Sequence, residues 1–256
     1  MLEEVHQTQK ASSKVLLKIG LFCLIFLPLT LFLGFWQLDR ADYKAQMLAD
    51  QQGRSALPAQ ALSELSAGEL QNFRPVIISG QYEQESFLLD NKIYQGKVGY
   101  ELLSRFSTED GRQVLVNRGW LPAPKYRSEA PRLHGRPGEQ PISLEGFFYV
   151  SDGEIPLLDE YTAESFANNP WPRRIPTLAW SELSRYLPQA LNWQKEFRLA
   201  NSEQPGAYRI DWKTAEVGPE KHLAYAWQWF AMSAALIILT AVASYKLVER
   251  DEHAEK

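Results

Sequence analysis

The chain has 256 residues, 45% of them hydrophobic, with a single cysteine and a formal net charge of −4. That length suffices for one or two domains, and the acidic balance argues against a nucleic-acid partner, which calls for a basic face. One cysteine leaves no disulfide framework.

Residues 1–14 form a short charged tail. From Val15 to Trp36 the only charge is Lys18, and at about 1.5 Å of rise per residue the stretch 15–38 crosses a hydrocarbon core about 30 Å thick. It reads as a transmembrane helix. A cleaved secretory signal is the competing reading, but the apolar stretch is too long for a signal core and no small-x-small site follows it. The bulky Phe22 ahead of Cys23 argues against lipoprotein processing. Pro28 is placed to kink the helix, Gly20, Leu27 and Gly34 give it a narrow face for packing, and Trp36 and Arg40 read as anchors at its outer end. The helical pattern continues through "DRADYKAQMLADQQ".

Residues 39–221 form a domain between two spans. "FRPVIISGQY", "SFLLDNKIY", "YELLSRF", "RQVLVNRGWL" and "ISLEGFFYV" are short, rich in β-branched and aromatic residues, and separated by turn signals such as Gly96, Gly99, "EDGR" and "RPGEQP". These predict antiparallel strands. "KEFRLA" and "AYRIDW" add two later candidates, "AWSELSRYLPQAL" has helical spacing and stops against Pro188, and "NNPWPRRIP" reads as a proline-rich loop in which Arg173 and Arg174 are a solvated pair. The expected fold is an α+β membrane protein: two transmembrane helices flanking a β-rich antiparallel domain, barrel- or sandwich-like, with a few helices.

The second span, 222–245, carries no charge from Leu223 to Tyr245, and residues 246–256 form a charged tail. Lys10, Lys14 and Lys18 flank the first span on one side, and Lys246, Arg250 and Lys256 flank the second. The positive-inside rule therefore places both termini in the cytoplasm and the domain outside it. Glu3 and Glu4 stand where an organellar transit peptide would be basic, so the expected location is a bacterial inner membrane with the domain in the periplasm.

Usual catalytic signatures are absent: there is no Gly-x-Ser-x-Gly, no His-Glu-x-x-His, no phosphate-cradling glycine loop and no Cys-x-x-Cys-His. His6 and His253 lie in the charged tails and His134 in a Gly/Pro-rich loop, which argues against a multi-histidine metal site. The remaining histidine opens the second span in "EKHLAYAWQWF". Gly218 and Pro219 mark the helix start, and at 100° per residue His222, Ala226, Trp229, Ser233, Thr240 and Ser244 fall on one stripe, with Tyr225 and Met232 on its flank. A small, polar stripe in a bilayer packs against another helix or a ligand rather than lipid. Two readings of His222 stand side by side. Trp227, Trp229 and Tyr225 form an aromatic belt at any membrane interface, and the histidine then only anchors. Alternatively, neutral imidazole is a common iron ligand and flat aromatic neighbours suit a macrocycle, so His222 holds a haem. "NRGW", Asn117 to Trp120, would end a strand in a turn, with Arg118 either structural or reaching a haem propionate through paired donors.

Taken in order, "LGFWQLDRADYKAQML", "FRPVIISGQY", "GKVGYELLSRF", "VLVNRGWLP", "LEGFF" and "PEKHLAYAWQWF" resemble the surfeit locus family of cytochrome c oxidase assembly factors. The likeness runs from about Leu33 to Met232 and is weak between Gly153 and Asn192. It implies a non-enzymatic role in building the oxidase catalytic subunit, with haem a bound and its supply enzymes as further partners. The family's proposed haem-ligand histidine falls on His222, with Tyr225, Gln228, Trp229 and Phe230 as neighbours. A haem-independent membrane scaffold for an oxidase assembly intermediate is the alternative. A periplasmic enzyme tethered at both ends is a third reading, and it would require clustered titratable groups in a cleft.

Overall fold

The computed structural model describes residues 2–133, 140–150, 163–166, 169–212 and 218–254, with side chains described between residues 13 and 250 of those ranges. His134, most of "RPGEQP", Gly153, and the side chains of His6 and His253 therefore lie outside the described residues. The chain divides into two compact units, one of Met1–Ala49 with Thr214–Lys256 and the other Asp50–Lys213.

The first unit is built from two helices, α3 (Pro219–Ala254) and α1 (Leu2–Ser55) as far as Ala49. α1 continues without interruption past Pro28 and through "DRADYKAQMLADQQ". Both helices are long and apolar enough to cross a membrane. Their large apolar side chains point outward, Leu24 and Trp227 each 73% exposed and Leu239 66%, a surface suited to hydrocarbon rather than water.

The second unit is one eight-stranded mixed sheet with few helices. Its strands are β1 (Gln60–Ala61), β2 (Pro75–Tyr94), β3 (Lys97–Thr108), β4 (Gln113–Pro122), β5 (Ile142–Tyr149), β6 (Glu164–Phe166), β7 (Asn169–Ile175) and β8 (Glu196–Leu199). The short helix α2 (Trp180–Leu183) and a following 3₁₀ turn end ahead of Pro188. "FRPVIISGQY" and "SFLLDNKIY" are two halves of the single strand β2, with a register irregularity between Tyr82 and Ser86. In the first half Val76, Ile78 and Gly80 are buried alternately, as a strand with one covered face requires.

Neighbours run β3-β4-β8-β5-β2-β7-β6, with β3 also paired to β2 and β1 beside β2. The expected antiparallel barrel or sandwich is corrected on two counts. Three pairs are parallel, β1–β2, β2–β7 and β4–β8. β2 also runs on past its pairing with β5, and there Phe87–Leu89 carry β7, with β6 beyond it, while still paired to β3 on the other side, so the sheet keeps an open edge and is not a barrel. Alternation in sequence marks a strand and its faces but not the direction of its partner. The long connections that return β7 and β8 to the sheet are what permit parallel pairing.

β4 is covered on both faces, which explains its unbroken apolar run. Val114 and Val116 join a core with Leu144, Phe148 and Phe197, while Leu115 between them joins Phe87, Leu103, Ile175 and Leu183 on the other side. Residues Asn169–Ile175 of "NNPWPRRIP" form the strand β7 rather than a loop: Arg173, Arg174 and Ile175 pair with Phe87, Leu88 and Leu89. That register begins after Pro172, so neither proline has to donate to the ladder. "AYRIDW" contributes only an isolated bridge between Trp120 and Arg209.

Candidate functional site

The α1–α3 pair is held along a seam with a heptad rhythm. On α1 the buried or half-buried positions include Cys23, Leu27, Thr30, Gly34, Gln37 and Ala41; on α3 they include His222, Ala226, Trp229, Ser233, Leu236 and Thr240. Both sets alternate steps of three and four, the spacing at which two helices keep one face in contact. Ala226 and Ser233 are almost fully buried. The polar stripe expected on α3 is this seam, so α1 occupies it.

Three side-chain pairs cross the seam in antiparallel order. Cys23 Sγ lies 3.0 Å from Thr240 Oγ1, Thr30 Oγ1 2.7 Å from Ser233 Oγ, and Gln37 Oε1 2.8 Å from His222 Nδ1. Between the last two, Gly34 lets the backbone approach: a Cβ there would stand 2.6 Å from the Phe230 ring, which also packs edge-on against Phe35. Small residues and matched hydroxyls are how helices associate where no water drives them together. Gly20, expected on the same face, has nothing within 4 Å of a Cβ and takes no part.

His222 sits in the first turn of α3, which starts at Pro219 as the Gly-Pro pair predicts. Trp229 shares its seam and is half-buried; Tyr225, on the flank, is half-exposed, and Trp227 points away. With Nδ1 engaged by Gln37, Nε2 is the ring nitrogen left for an iron, and a neutral imidazole beside aromatic rings is a donor set that fits haem. His222 is the one histidine whose side chain is described. Among the described residues no group of three or more His, Cys, Asp or Glu is placed to share a metal ion.

Arg118 belongs to the other unit and is built into its interior. "NRGW" does not end a strand. It lies inside β4, where Glu101 pairs with Trp120 but Leu103 pairs with Asn117, leaving one extra residue on β4 as a bulge. Gly119 takes φ +100° there, and a Cβ would stand 2.6 Å from the Arg209 carbonyl oxygen. Arg118 is 5% exposed. Its Nε donates to Gly206 O at 2.7 Å and its Nη1 to Ser104 Oγ at 3.3 Å. The guanidinium stacks over Tyr82 and Tyr208 at 4.7 and 5.4 Å from the ring centroids. Burial lowers the Arg118 pKa from its ordinary value, opposed by the two tyrosines, and burial likewise raises that of the Tyr82 phenol. This geometry favours the structural role over contact with a propionate.

Next to it, Asn117 Nδ2 donates to Glu101 Oε2 at 2.9 Å and to the buried Glu196 Oε2 at 2.8 Å, and Arg198 pairs with Glu196 at 2.6 Å. Both carboxylates are thereby matched to donors within the sheet. Arg174, expected as half of a solvated pair, is instead largely covered, pairs with Glu164 and donates to Arg127 O at 2.8 Å. Gln37 is the residue the sequence reading passed over. Its signal was its spacing, seven residues beyond Thr30 and fourteen beyond Cys23 on one helix face.

A sequence model of the SURF1 family matches residues 24–234, which take in part of each apolar helix and all eight strands. A SURF1-like protein of Rickettsia bellii is 27% identical over 235 residues, covering 87% of this chain and 89% of the relative. Surfeit locus protein 1 of Gallus gallus is 29% identical over 252 residues, 91% of this chain and 76% of the relative. The cytochrome oxidase assembly protein SHY1 of Saccharomyces cerevisiae is 27% identical over 123 residues, 46% of this chain and 32% of the relative. With most of its length matched by the family's model, the chain belongs to the SURF1 family.

Proposed function

We propose that this protein is a membrane-bound assembly factor for cytochrome c oxidase that takes haem a at His222 and assists its delivery to the catalytic subunit. The oxidase role is supported by family membership and by the name of the yeast relative. The haem role rests on one observation: the imidazole at the mouth of α3 is tied to α1 through Nδ1, which leaves Nε2 for iron. Haem a is cargo here, and iron ligation is the chemistry that would hold it. The protein's part is to bind and orient: α1 fixes the ring and Trp229 lines the same face. No bond need be made or broken by this chain.

The setting is a bacterial inner membrane, with both termini cytoplasmic and the sheet domain periplasmic. Lipid is then the solvent of the outward faces of α1 and α3. The haem supply enzymes are natural further partners of a protein that takes haem a as cargo. A haem-independent scaffold would grip an oxidase subunit through the α3 stripe and the domain surface, and of these the stripe is already covered by α1.

The test is His222→Ala in cells that assemble the oxidase, reading both co-purification of the catalytic subunit and its haem a content. Retained subunit with depleted haem is the expected result. Unchanged haem content would leave only the scaffold.

A further inference from the structure

His222 is held by a residue that carries no charge and no metal-binding group of its own. Gln37 lies on the α1 seam three residues beyond Gly34 and four before the buried Ala41. Its Oε1 is 2.8 Å from His222 Nδ1. An amide oxygen has lone pairs and no hydrogen, so a contact of that length needs the proton on Nδ1. A neutral imidazole has one N–H, and the lone pair must then sit on Nε2. A free neutral ring populates both tautomers and turns about its side-chain torsions; bonded to α1 it has one tautomer and one direction. An amide accomplishes this without placing a charge at the membrane edge, as a carboxylate would.

We propose that Gln37 is the positioning residue of the His222 site: it holds Nδ1–H and presents an unprotonated Nε2 to the iron of a haem-type ligand. The inference rests on the reading of His222 as a haem ligand. Gln37 does not touch the ligand; it acts through the ring. The seam does not depend on it either, because the Thr30–Ser233 and Cys23–Thr240 pairs and the Gly34–Phe230 contact tie the two helices independently. Replacing Gln37 is therefore expected to leave the helix pair assembled.

The experiment uses the full chain in detergent, labelled with ¹⁵N in histidine, as wild type, Gln37→Leu and Gln37→Glu. Imidazole ¹⁵N shifts of the haem-free protein, recorded where the ring is neutral, report the tautomer of His222. Titration with haem a, followed by absorption, reports affinity. The wild type should show Nδ1–H alone, and Gln37→Leu a mixture in which Nε2–H appears. Haem a affinity should fall roughly 10- to 100-fold in Gln37→Leu, as for the loss of other groups that orient a ligating histidine. Gln37→Glu keeps the acceptor and should restore both readouts. A tautomer unchanged by Gln37→Leu, with wild-type haem affinity, overturns the role of Gln37 and leaves His222 as ligand. A tautomer that follows Gln37 in a wild-type protein taking up no haem a overturns the haem reading, and with it any role of Gln37 toward iron.

Discussion

Replacing Arg118 by Ala separates a structural arginine from a ligand-binding one. The guanidinium makes a 2.7 Å bond to Gly206 O and a longer one to Ser104 Oγ, and it lies over two tyrosine rings. A hydrogen bond from a charged donor contributes about 1.5–3 kcal/mol and each ring contact about 0.5–2 kcal/mol. Against this stands the cost of burying the cation, visible in its lowered pKa, which the substitution relieves. The net loss expected is about 2–4 kcal/mol, in the range of a disrupted buried network. Urea unfolding of the full chain in detergent, followed by tryptophan fluorescence, measures it, and haem a titration below the unfolding transition supplies the second readout. A lowered midpoint with unchanged haem affinity is expected. An unchanged midpoint with weakened haem binding would refute the assignment and make Arg118 a propionate contact.

Gly119→Ala combines a left-handed backbone angle with a Cβ against the Arg209 carbonyl. A cost of about 1–3 kcal/mol from the backbone angle alone should appear as a lower urea midpoint, and a midpoint within error of wild type would contradict the bulge in β4. Thr30→Val keeps the shape of the seam and removes one hydroxyl from the Thr30–Ser233 pair. Thermal unfolding in detergent should register about 0.6 kcal/mol, and a loss several times larger would mean the seam depends on that bond. Trp227→Ala, on an outward-facing side chain, should leave haem a affinity unchanged while Trp229→Ala weakens it; equal effects would place the ligand elsewhere on α3. The Ser66 hydroxyl and then the Ser66 backbone N–H lower the Glu69 pKa from 4.5. The folded-state value is depressed, so this contribution is present above pH 4.5 and is lost as pH falls through the folded pKa. Carboxyl NMR titration should show the Glu69 pKa rising in Ser66→Ala, and no movement would mean the hydroxyl is not its partner.

The two helices and their seam were legible because their signal is periodic and local. Apolar runs gave α1 and α3, and the stripe through His222, Ala226, Trp229 and Ser233 is the face that α1 covers. Strands such as Ile142–Tyr149 were equally plain, with Leu144, Gly146 and Phe148 buried in alternation. What stayed hidden depends on partners distant in sequence. Pro170 and Pro172 made β7 look like a loop, yet pairing with Phe87–Leu89 and the packing of Trp171 on Phe87 hold it as a strand. "AYRIDW" has the composition of a strand but forms one bridge, to Trp120 in the bulged part of β4. Gln37 is one polar residue in an apolar helix until the other helix brings His222 to it.

The central claim is that His222 is a haem ligand, and the direct measurement is an absorption spectrum of the detergent-purified protein from cells that make haem a, with His222→Ala prepared alongside. The account predicts a haem a band in the wild type that is lost from a folded His222→Ala protein. A band of equal intensity in both, or none in either while the oxidase subunit still co-purifies, would contradict it and leave His222 as an interfacial residue hydrogen-bonded to Gln37.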